Sequence, residues 1–550
     1  MSEPVEAQKW VRHFRQALLW PLQLMPIHEG AQIQKHWEYL ERAGANNPWR
    51  EENTAFPQDP AQFRERHYNE FIAFLPYVQR FLYGEGQTPA RDGRCGDSPM
   101  RVFRRDDVKA VRVTPRRGAE PRTLALSYVD LYFFYDLDIV LLSIEFQADN
   151  ILLHEAQELL YRFGRAYPAS WEKDGSGLHC PERVEWLDGS GNTLAVSDYE
   201  KHDKFLGFVC RNHSASIAAH WEFLLRPMVL DASGDQAPIR YRQLEFYRMP
   251  VMGYFAMDHL RALTRADFVR LGLVTAPGEG NALPFHEQHV ADFELRHCYD
   301  RYWNDDCAGN STRLLCSGYS LVLVGSAGSP LFMNEENGVL GQFGHQYFLL
   351  FLIAHMQRAA LLMFSNRLVE ALDQLDITDA ESVKRFKRVI RQNFEIFLRF
   401  THRYWFHELS EQAQIKALYH MCNRHLGTEA IYAEVKQEIY DMNQYLDSDS
   451  LRRQANTVVR LTVVTTFGLI GTVVTGFLGM NLLAEADASL GRKLLLFVLT
   501  MIPVTWLTFY TIVKSKRLSD FLEALSDERM SARDKLGSLL AVWRGAPKPD

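Results

Sequence analysis

The chain has 550 residues, with 61 Lys and Arg against 68 Asp and Glu, a formal net charge of -7, and 47% hydrophobic residues. This length and composition predict several folded units with packed cores, and they exclude a disordered, collagenous or small disulfide-stabilised protein. The mild acidity argues against a nucleic-acid-binding protein, because such proteins need clustered cationic side chains to displace counterions from phosphates.

The first two-thirds of the chain change character near residue 100. Residues 1–100 are predicted to form an N-terminal helical extension, with helices over residues 31–42 and 60–82, and a stretch rich in Gly, Pro and Asp at 84–99 predicts a boundary. Residues 101–345 are predicted to form an α/β domain, with a helix at 152–163. Runs of β-branched and aromatic residues predict its strands at 102–113, 123–135, 138–146, 205–210, 243–249 and 313–324.

Beyond residue 346 the strand pattern ends and helical periodicity takes over. Helices are predicted over residues 346–374, 380–405 and 428–445, which together form a helical region at 346–460. The last of these runs continues with few helix-breaking residues toward the C-terminus. It therefore predicts a long stalk helix.

Two uncharged stretches close the chain, at residues 461–484 and 494–513. A helix needs about 20 apolar residues to cross about 30 Å of hydrocarbon, so both are long enough to span a membrane. We predict two transmembrane helices at 461–483 and 494–513, joined by a short outer loop, with a cytoplasmic tail at 514–550. The C-terminal part is thus expected to be a transmembrane hairpin.

Charges at the edges of the two spans indicate their orientation. Arginines, among them Arg460, precede the first span, and Lys514 follows the second. By the positive-inside tendency, both termini are expected in the cytoplasm and the protein in the inner (cytoplasmic) membrane. The first 14 residues lack the pattern of a signal peptide, and the seven cysteines contain no C-x-x-C, as expected of reduced cytosolic thiols.

One face of the first predicted span is small or hydroxylated. Threonine side chains and glycine backbone can offer oxygens to a water-filled lumen, and Leu or Val can close it by dewetting. Two helices cannot enclose a polar pathway, so a pore would need several copies of the chain. The alternative is close packing of membrane helices through small residues. Steps of three or four residues define this face, the pore face, as Val458, Thr462, Thr465, Leu469, Thr472, Gly476 and Gly479.

The first span ends in the tripeptide Gly479-Met480-Asn481. In its sequence and its place, after a large N-terminal domain and before a short loop and a second span, this tripeptide resembles the signature of the CorA family of divalent cation transporters. Gly476 and the pair Leu461-Thr462 match the family pattern as well. The resemblance implies a CorA-like fold: a cytoplasmic α/β domain, a long helical stalk and a two-helix hairpin, assembled as a pentamer.

The resemblance also implies a function. The expected cargo is Mg²⁺ or a related divalent cation, which a ring of Gly479-Met480-Asn481 segments recognises, with Asn481 contacting the ion through its bound water. Glu485 and Asp487 in the outer loop would concentrate cations by their field. Mg²⁺ would also regulate the protein from the cytoplasm, through carboxylates between protomers.

The expected partners are further copies of the chain, the lipid bilayer and divalent cations, without nucleic acid or an organic cofactor. No enzyme is expected, because the sequence has neither a phosphate-binding G-x-x-x-x-G-K-[ST] loop nor an H-E-x-x-H or G-x-S-x-G motif. Neither span holds Asp, Glu, His, Lys or Arg, and a divalent ion gains roughly 4.6 kcal/mol in crossing 100 mV. Passive conduction is therefore favoured over proton-coupled transport.

Three departures from the family pattern bear on the choice of ion. Leu478 stands where the family usually has Tyr, the loop lacks Met-Pro-Glu, and Asn456 is one residue out of register with the family's asparagine. These differences weaken the assignment of Mg²⁺ more than that of cation transport. The alternatives are a Zn²⁺, Co²⁺ or Ni²⁺ transporter of the same family, or a non-conducting membrane-anchored sensor or assembly protein.

Overall fold

The chain divides into two compact units, Met1–Ile439 and Tyr440–Asp550. The structure is a computed structural model, and it describes residues 8–28, 34–42, 47–52, 63–85, 98–278, 280, 282–304, 311–376, 379–482 and 489–492, together with 494–495, 498–499, 502–503, 506–507 and 510.

Fourteen strands of the described residues form one mostly antiparallel sheet, ordered β12-β13-β14-β11-β1-β6-β5-β4-β7-β8. Off this path, β3 joins β5 to β2, and β10 joins β1 to β9. Only the β11–β14 and β9–β10 pairs among them are parallel. The strands are β1 (Trp10–Leu24), β2 (Trp49–Glu51), β3 (Met100–Arg105), β4 (Ala110–Thr114), β5 (Arg122–Phe134), β6 (Leu137–Leu152), β7 (Arg183–Leu187), β8 (Thr193–Val196), β9 (Val229–Leu230), β10 (Arg240–Gln243), β11 (Val251–Met257), β12 (Cys298–Tyr299), β13 (Thr312–Cys316) and β14 (Ser320–Ser326).

Helices cover both faces of the sheet. The main hydrophobic core lies between one face and helices α4, α6 and α7, and α11 packs on β1 and β6 from the other face. A short 3₁₀ helix (Leu260–Ala262) and a π-helical turn (Phe343–Tyr347) also occur. The α-helices are α1 (Trp37–Arg42), α2 (Glu65–Ala73), α3 (Pro76–Tyr83), α4 (Leu153–Arg162), α5 (His202–Asn212), α6 (Ala219–Leu225), α7 (Arg265–Leu273), α8 (Glu287–His297), α9 (Pro330–Met333), α10 (Val339–Gln342), α11 (Phe348–Asp373), α12 (Ala380–Arg403), α13 (Ala413–Leu426) and α14 (Thr428–Leu482).

The predicted helical extension over residues 1–100 is wrong for its first segment. Residues Trp10–Leu24 form β1, which pairs with β6 along 13 registered positions and with β11 on its other edge. Its second half is buried on both sides, so the alternation that reveals a half-exposed strand is missing. Pro21 fits because the partner on that edge changes from β11, ending at Leu18, to β10, beginning at Leu22. The N-terminal segment is thus the centre of the α/β domain.

Two other predicted strands are wrong. Residues 205–210 lie in α5, because a short apolar run does not distinguish strand from helix. The strand predicted at 243–249 lies later, at Val251–Met257, where every residue is buried and alternation is again absent. The runs at 102–113 and 313–324 each form two strands, and in the second Gly318 makes the turn with a φ of 82°.

The mixed α/β domain and the helical region after it are confirmed. Strands β5 and β6 and helix α4 form where the pattern predicts them, as do α11, α12 and α14. Helix α11 is apolar on nearly all sides, as expected of a helix covered by a sheet and by other helices. In the described part of the chain, Val339–Asp373 is the one helical stretch that passes a length-and-composition test for a membrane span, and it is mostly buried within the protein.

Candidate ion pathway

The pore face lies on α14, a single 55-residue helix that contains the first predicted span up to Leu482. On a regular helix the seven positions fall within an arc of about 100°. Val458 and Leu469 are 62% and 67% exposed, whereas Val463, on the opposite side of the helix, is 2% exposed. Thr462, Thr465, Thr472 and Gly476 are exposed as well, so this face is uncovered within the protomer.

Four threonine hydroxyls in the described part of this segment are bonded to the helix backbone. Each donates its proton to a carbonyl one turn earlier, so the hydrogen is used inside the helix and the oxygen keeps its acceptor capacity toward the outside. The bonds run from Thr462 to Val458 (2.9 Å), Thr465 to Leu461 (3.0 Å), Thr466 to Thr462 (2.8 Å) and Thr472 to Gly468 (2.8 Å). Thr466 was not among the residues predicted for the pore face, although it directly follows Thr465 in the sequence.

No described neighbour within the protomer comes close enough to Gly468 or Gly476 to require a glycine there. A Cβ built on Gly468 or Gly476 meets nothing within 4 Å. Glycine in mid-helix costs roughly 0.5–1 kcal/mol relative to alanine, so close packing inside the protomer does not repay it. Among the described residues, no close contact accounts for glycine at these two positions.

The Gly479-Met480-Asn481 tripeptide lies in the last turn of α14, which ends at Leu482. The side chains of Met480 and Asn481 lie outside the described residues, as do Glu485 and Asp487. The second predicted span is described only at isolated backbone positions, and the predicted tail at 514–550 not at all. The carboxamide ring and the hairpin therefore stay predictions.

The N-terminal end of α14 is anchored on the helical region. A single residue, Gly427, with a φ of 66°, separates it from α13 and ends that helix in a left-handed cap. Tyr432 stacks on Trp405, with ring centroids 4.2 Å apart and an interplanar angle of 11°. Val435 and Ile439 are 2% and 1% exposed. The first three turns of α14 are thus held by apolar contacts.

Buried carboxylates of the α/β domain and helical region are neutralised by arginines. Asp130 accepts two hydrogen bonds from Arg104, each 2.8 Å long, and burial nevertheless raises its pKa. Burial also raises the pKa of Glu145, which Arg15 partly opposes. In the part of the chain that the structure describes, no group of three or more His, Cys, Asp or Glu side chains could hold a metal ion. Regulatory carboxylates between protomers remain a prediction.

Comparison with known proteins locates the family resemblance. A family model described as CorA-like Mg²⁺ transporter protein matches residues 365–517. The match begins inside α11 and includes α12, α13, α14 and the whole of the second predicted span, whereas the sheet lies before it. No curated protein and no solved structure matches the chain. Residues 365–517 are thus similar to the CorA-like Mg²⁺ transporter family, the family whose signature the tripeptide Gly479-Met480-Asn481 resembles.

Proposed function

We propose that this chain is one subunit of a homo-oligomeric channel that carries Mg²⁺ or a related divalent cation across the cytoplasmic membrane. The match to the CorA-like family over residues 365–517 supports cation transport. The observation that carries the proposal is the face of α14 left uncovered within the protomer, which bears threonine hydroxyls that donate their protons to the helix backbone. Several such faces around one axis would form a continuous hydrophilic wall.

Acceptor oxygens suit a hydrated divalent cation. Mg²⁺ gives up its waters reluctantly, and the waters of its first shell point their hydrogens outward. A hydroxyl that could still donate would need to reorient to receive such a hydrogen. The hydroxyls of Thr462 and Thr465 are already oriented, because their protons are bound to backbone carbonyls. They can accept from the ion's waters without loss of an internal hydrogen bond.

Ion recognition is assigned to the end of the same helix. A ring of Asn481 carboxamides, one from each protomer, would bind the waters of the ion through neutral dipoles, so that selection is by size and hydration and release stays fast. Gly479 and Met480 complete the ring segment, and Glu485 and Asp487 would raise the local cation concentration at the outer mouth. Leu469 and Val458 supply apolar rings that close the pore by dewetting when it narrows.

Movement of the ion needs only the membrane potential. A doubly charged ion gains roughly 4.6 kcal/mol for each 100 mV, and no ionisable residue lies between residues 461 and 484 to couple it to protons. The direction is therefore inward for a cation under a negative internal potential.

Ion flux in proteoliposomes tests this function. We expect Asn481→Ala to reduce Mg²⁺ uptake at least tenfold while the oligomer, measured by its elution volume, stays intact. Asn212→Ala, at an exposed asparagine at the end of α5, is the matched control and should transport like the parent protein. Equal uptake by Asn481→Ala and the parent would refute the carboxamide ring.

The parent protein should be measured with Mg²⁺, Zn²⁺, Co²⁺ and Ni²⁺ in the same preparation. Preferential uptake of Mg²⁺ supports the main assignment, and preference for another of these ions supports the alternative within the family. Absence of uptake for all four ions would leave the non-conducting sensor or assembly protein as the function.

A further inference from the structure

Two arginines face each other in the α/β domain. Arg165, just after α4, and Arg248, just before β11, form an isolated antiparallel bridge. The flanking hydrogen bonds run from Ala166 N to Tyr247 O (2.8 Å) and from Met249 N to Gly164 O (2.9 Å). This is the pattern of a non-hydrogen-bonded pair, in which the two facing Cα atoms are about 4.5 Å apart and both side chains leave on the same face.

Like charges directly opposite each other in a sheet repel, and this pair has no carboxylate to offset them. No ion pair of the described residues includes Arg165 or Arg248. Besides burial, tyrosines and Cys180 act on the pKa of Arg165, and Arg165 and tyrosines act on that of Arg248. Burial lowers the pKa of both guanidinium groups, that of Arg248 to about 10.

The hydrogen bonds of the two groups are incomplete. Arg165 is 3% exposed, and its Nε–H has no acceptor, although Nη2 donates to Tyr161 O at 2.8 Å. Arg248 donates from Nη2 to Val274 O at 3.0 Å, at the C-terminal end of α7, where the helix dipole favours a cation. A buried donor without an acceptor is uncommon in folded proteins, and it marks a place for an acceptor that the chain itself does not supply.

The surroundings of the pair are suited to hold a ligand. The guanidinium carbon of Arg165 lies 5.2 Å from the ring centroid of Tyr161 and 5.3 Å from that of Tyr247. The backbone carbonyl of Arg165 is fixed by Tyr199 Oη (2.6 Å) and Trp221 Nε1 (2.8 Å). The floor of the site is therefore rigid before any ligand arrives.

The rim of the same site adds a histidine. His179 has a φ of 66° and shares a hydrogen bond with the hydroxyl of Tyr161. Burial lowers the pKa of His179 most, and the nearby charges of Arg165 and Arg162 lower it further, whereas Glu172 raises it. His179 is therefore close to the positive charge of Arg165. Arg162 is itself paired with Glu158. Because His179 and Arg248 are only half-buried, the site opens to solvent on this side.

We propose that Arg165 and Arg248, with His179 at the rim, form a binding site for a phosphate group. The two guanidinium groups supply two positive charges and N–H donors besides those bonded to Tyr161 O and Val274 O, among them the unpaired Nε–H of Arg165, which suit the charge and the oxygens of a phosphate dianion. The phosphate is either inorganic or carried by a small monoester, for which Tyr161 and Tyr247 provide aromatic surface. The site is independent of the transported cation.

Calorimetric titration of the full chain in detergent, in buffer without phosphate or sulfate, tests the site. Inorganic phosphate should bind saturably at one equivalent per protomer, and Arg248→Gln should weaken this binding at least tenfold. Arg122→Gln, which removes an arginine that is exposed and paired with Glu155, is the matched control and should bind like the parent. Absence of saturable binding to the parent protein, or equal affinity in Arg248→Gln, would overturn the proposal.

The folding of the variants is checked by their unfolding temperature in the same buffer. Arg248→Gln removes one of two repelling charges, so it should unfold at the same or a higher temperature than the parent without phosphate. Arg165→Lys keeps the charge but loses the fork, and it should also bind at least tenfold more weakly. Tighter binding of adenosine monophosphate than of phosphate assigns a monoester, and the reverse assigns inorganic phosphate. Asn481→Ala should bind phosphate normally, so failure of transport and failure of this site are distinguishable.

Discussion

The side chains in the sheet of the α/β domain are packed within the protomer, whereas many of those on the C-terminal half of α14 are exposed. In the sheet, strands such as β6 and β11 are buried on both faces, and carboxylates such as Asp130 meet arginines of the same chain. On α14, large apolar side chains such as Leu469 are exposed, and glycines such as Gly476 contact nothing. The first region is packed within one protomer, whereas the described side chains of the second are largely exposed, as expected if neighbouring copies of the chain cover them.

The largest expected effect is a loss of unfolding free energy when a buried side chain of the first region is truncated. Phe146 is fully buried and packs edge-to-face on Phe163, with ring centroids 5.2 Å apart. Phe146→Ala should lower the free energy of unfolding by about 3–5 kcal/mol, through lost burial and the cavity left behind. Chemical denaturation followed by tryptophan fluorescence measures it. Phe246→Ala, at a 63% exposed phenylalanine, should change it by less than about 0.5 kcal/mol.

A pH dependence is expected from α11, the helix that packs on this sheet. His355 is fully buried beside Gly318 O, and burial lowers its pKa to about 3, below about 6.5 in the unfolded chain. The unfolded state therefore binds the proton first, so stability is full above pH 6.5 and is lost as the pH falls toward 3. The slope is up to about 1.4 kcal/mol per pH unit.

His355→Gln should remove this part of the slope in denaturation curves recorded between pH 6.5 and 4.5. His259→Gln, at a histidine whose side chain is 77% exposed, should leave the slope of the parent protein. An unchanged slope in His355→Gln would show that this histidine is not buried as a neutral group.

A pair of glycine substitutions sharpens the comparison. Gly427 has a φ of 66° with open space around it, so Gly427→Ala should cost about 1–2 kcal/mol of stability from backbone conformation alone. Gly476→Ala has open space in a regular helix and should leave the unfolding of the α/β domain unchanged. If neighbouring protomers pack against Gly476, the same substitution should weaken oligomerisation, measured by sedimentation. An intact oligomer in Gly476→Ala would show that no neighbouring protomer packs closely against Gly476.

The smallest effect on stability is expected at the apolar rings of the pore face. Leu469→Ala should not change the unfolding of the protomer, because the side chain is 67% exposed there. If Leu469 forms a hydrophobic gate, the substitution should raise the cation leak of closed channels several-fold in proteoliposomes. Leu451→Ala, at a leucine that is 64% exposed before the span, is the control. Equal cation leak in the two variants would show that Leu469 does not form the gate.

Strong local periodicity allowed much of the fold to be predicted. The strands β5 and β6 carry long runs of β-branched and aromatic residues, and α12 and α14 carry uninterrupted helical patterns, so each is visible within a short window. The strands β1 and β11 were missed because burial on both faces erases alternation. For the pore face, sequence spacing predicted which residues share one side of the helix, and the motif at Gly479 to Asn481 indicated the family that matches residues 365–517.

The sequence by itself determined the α/β and helical regions and the family of the C-terminal part, because these depend on residues close together in the chain. Only the tertiary structure decided that Trp10–Leu24 is the central strand, that the pore face is uncovered in the protomer, and that Arg165 faces Arg248. Each of these depends on which distant segments pack together. Such packing is set by the burial and pairing of the whole sheet, and no single segment encodes it.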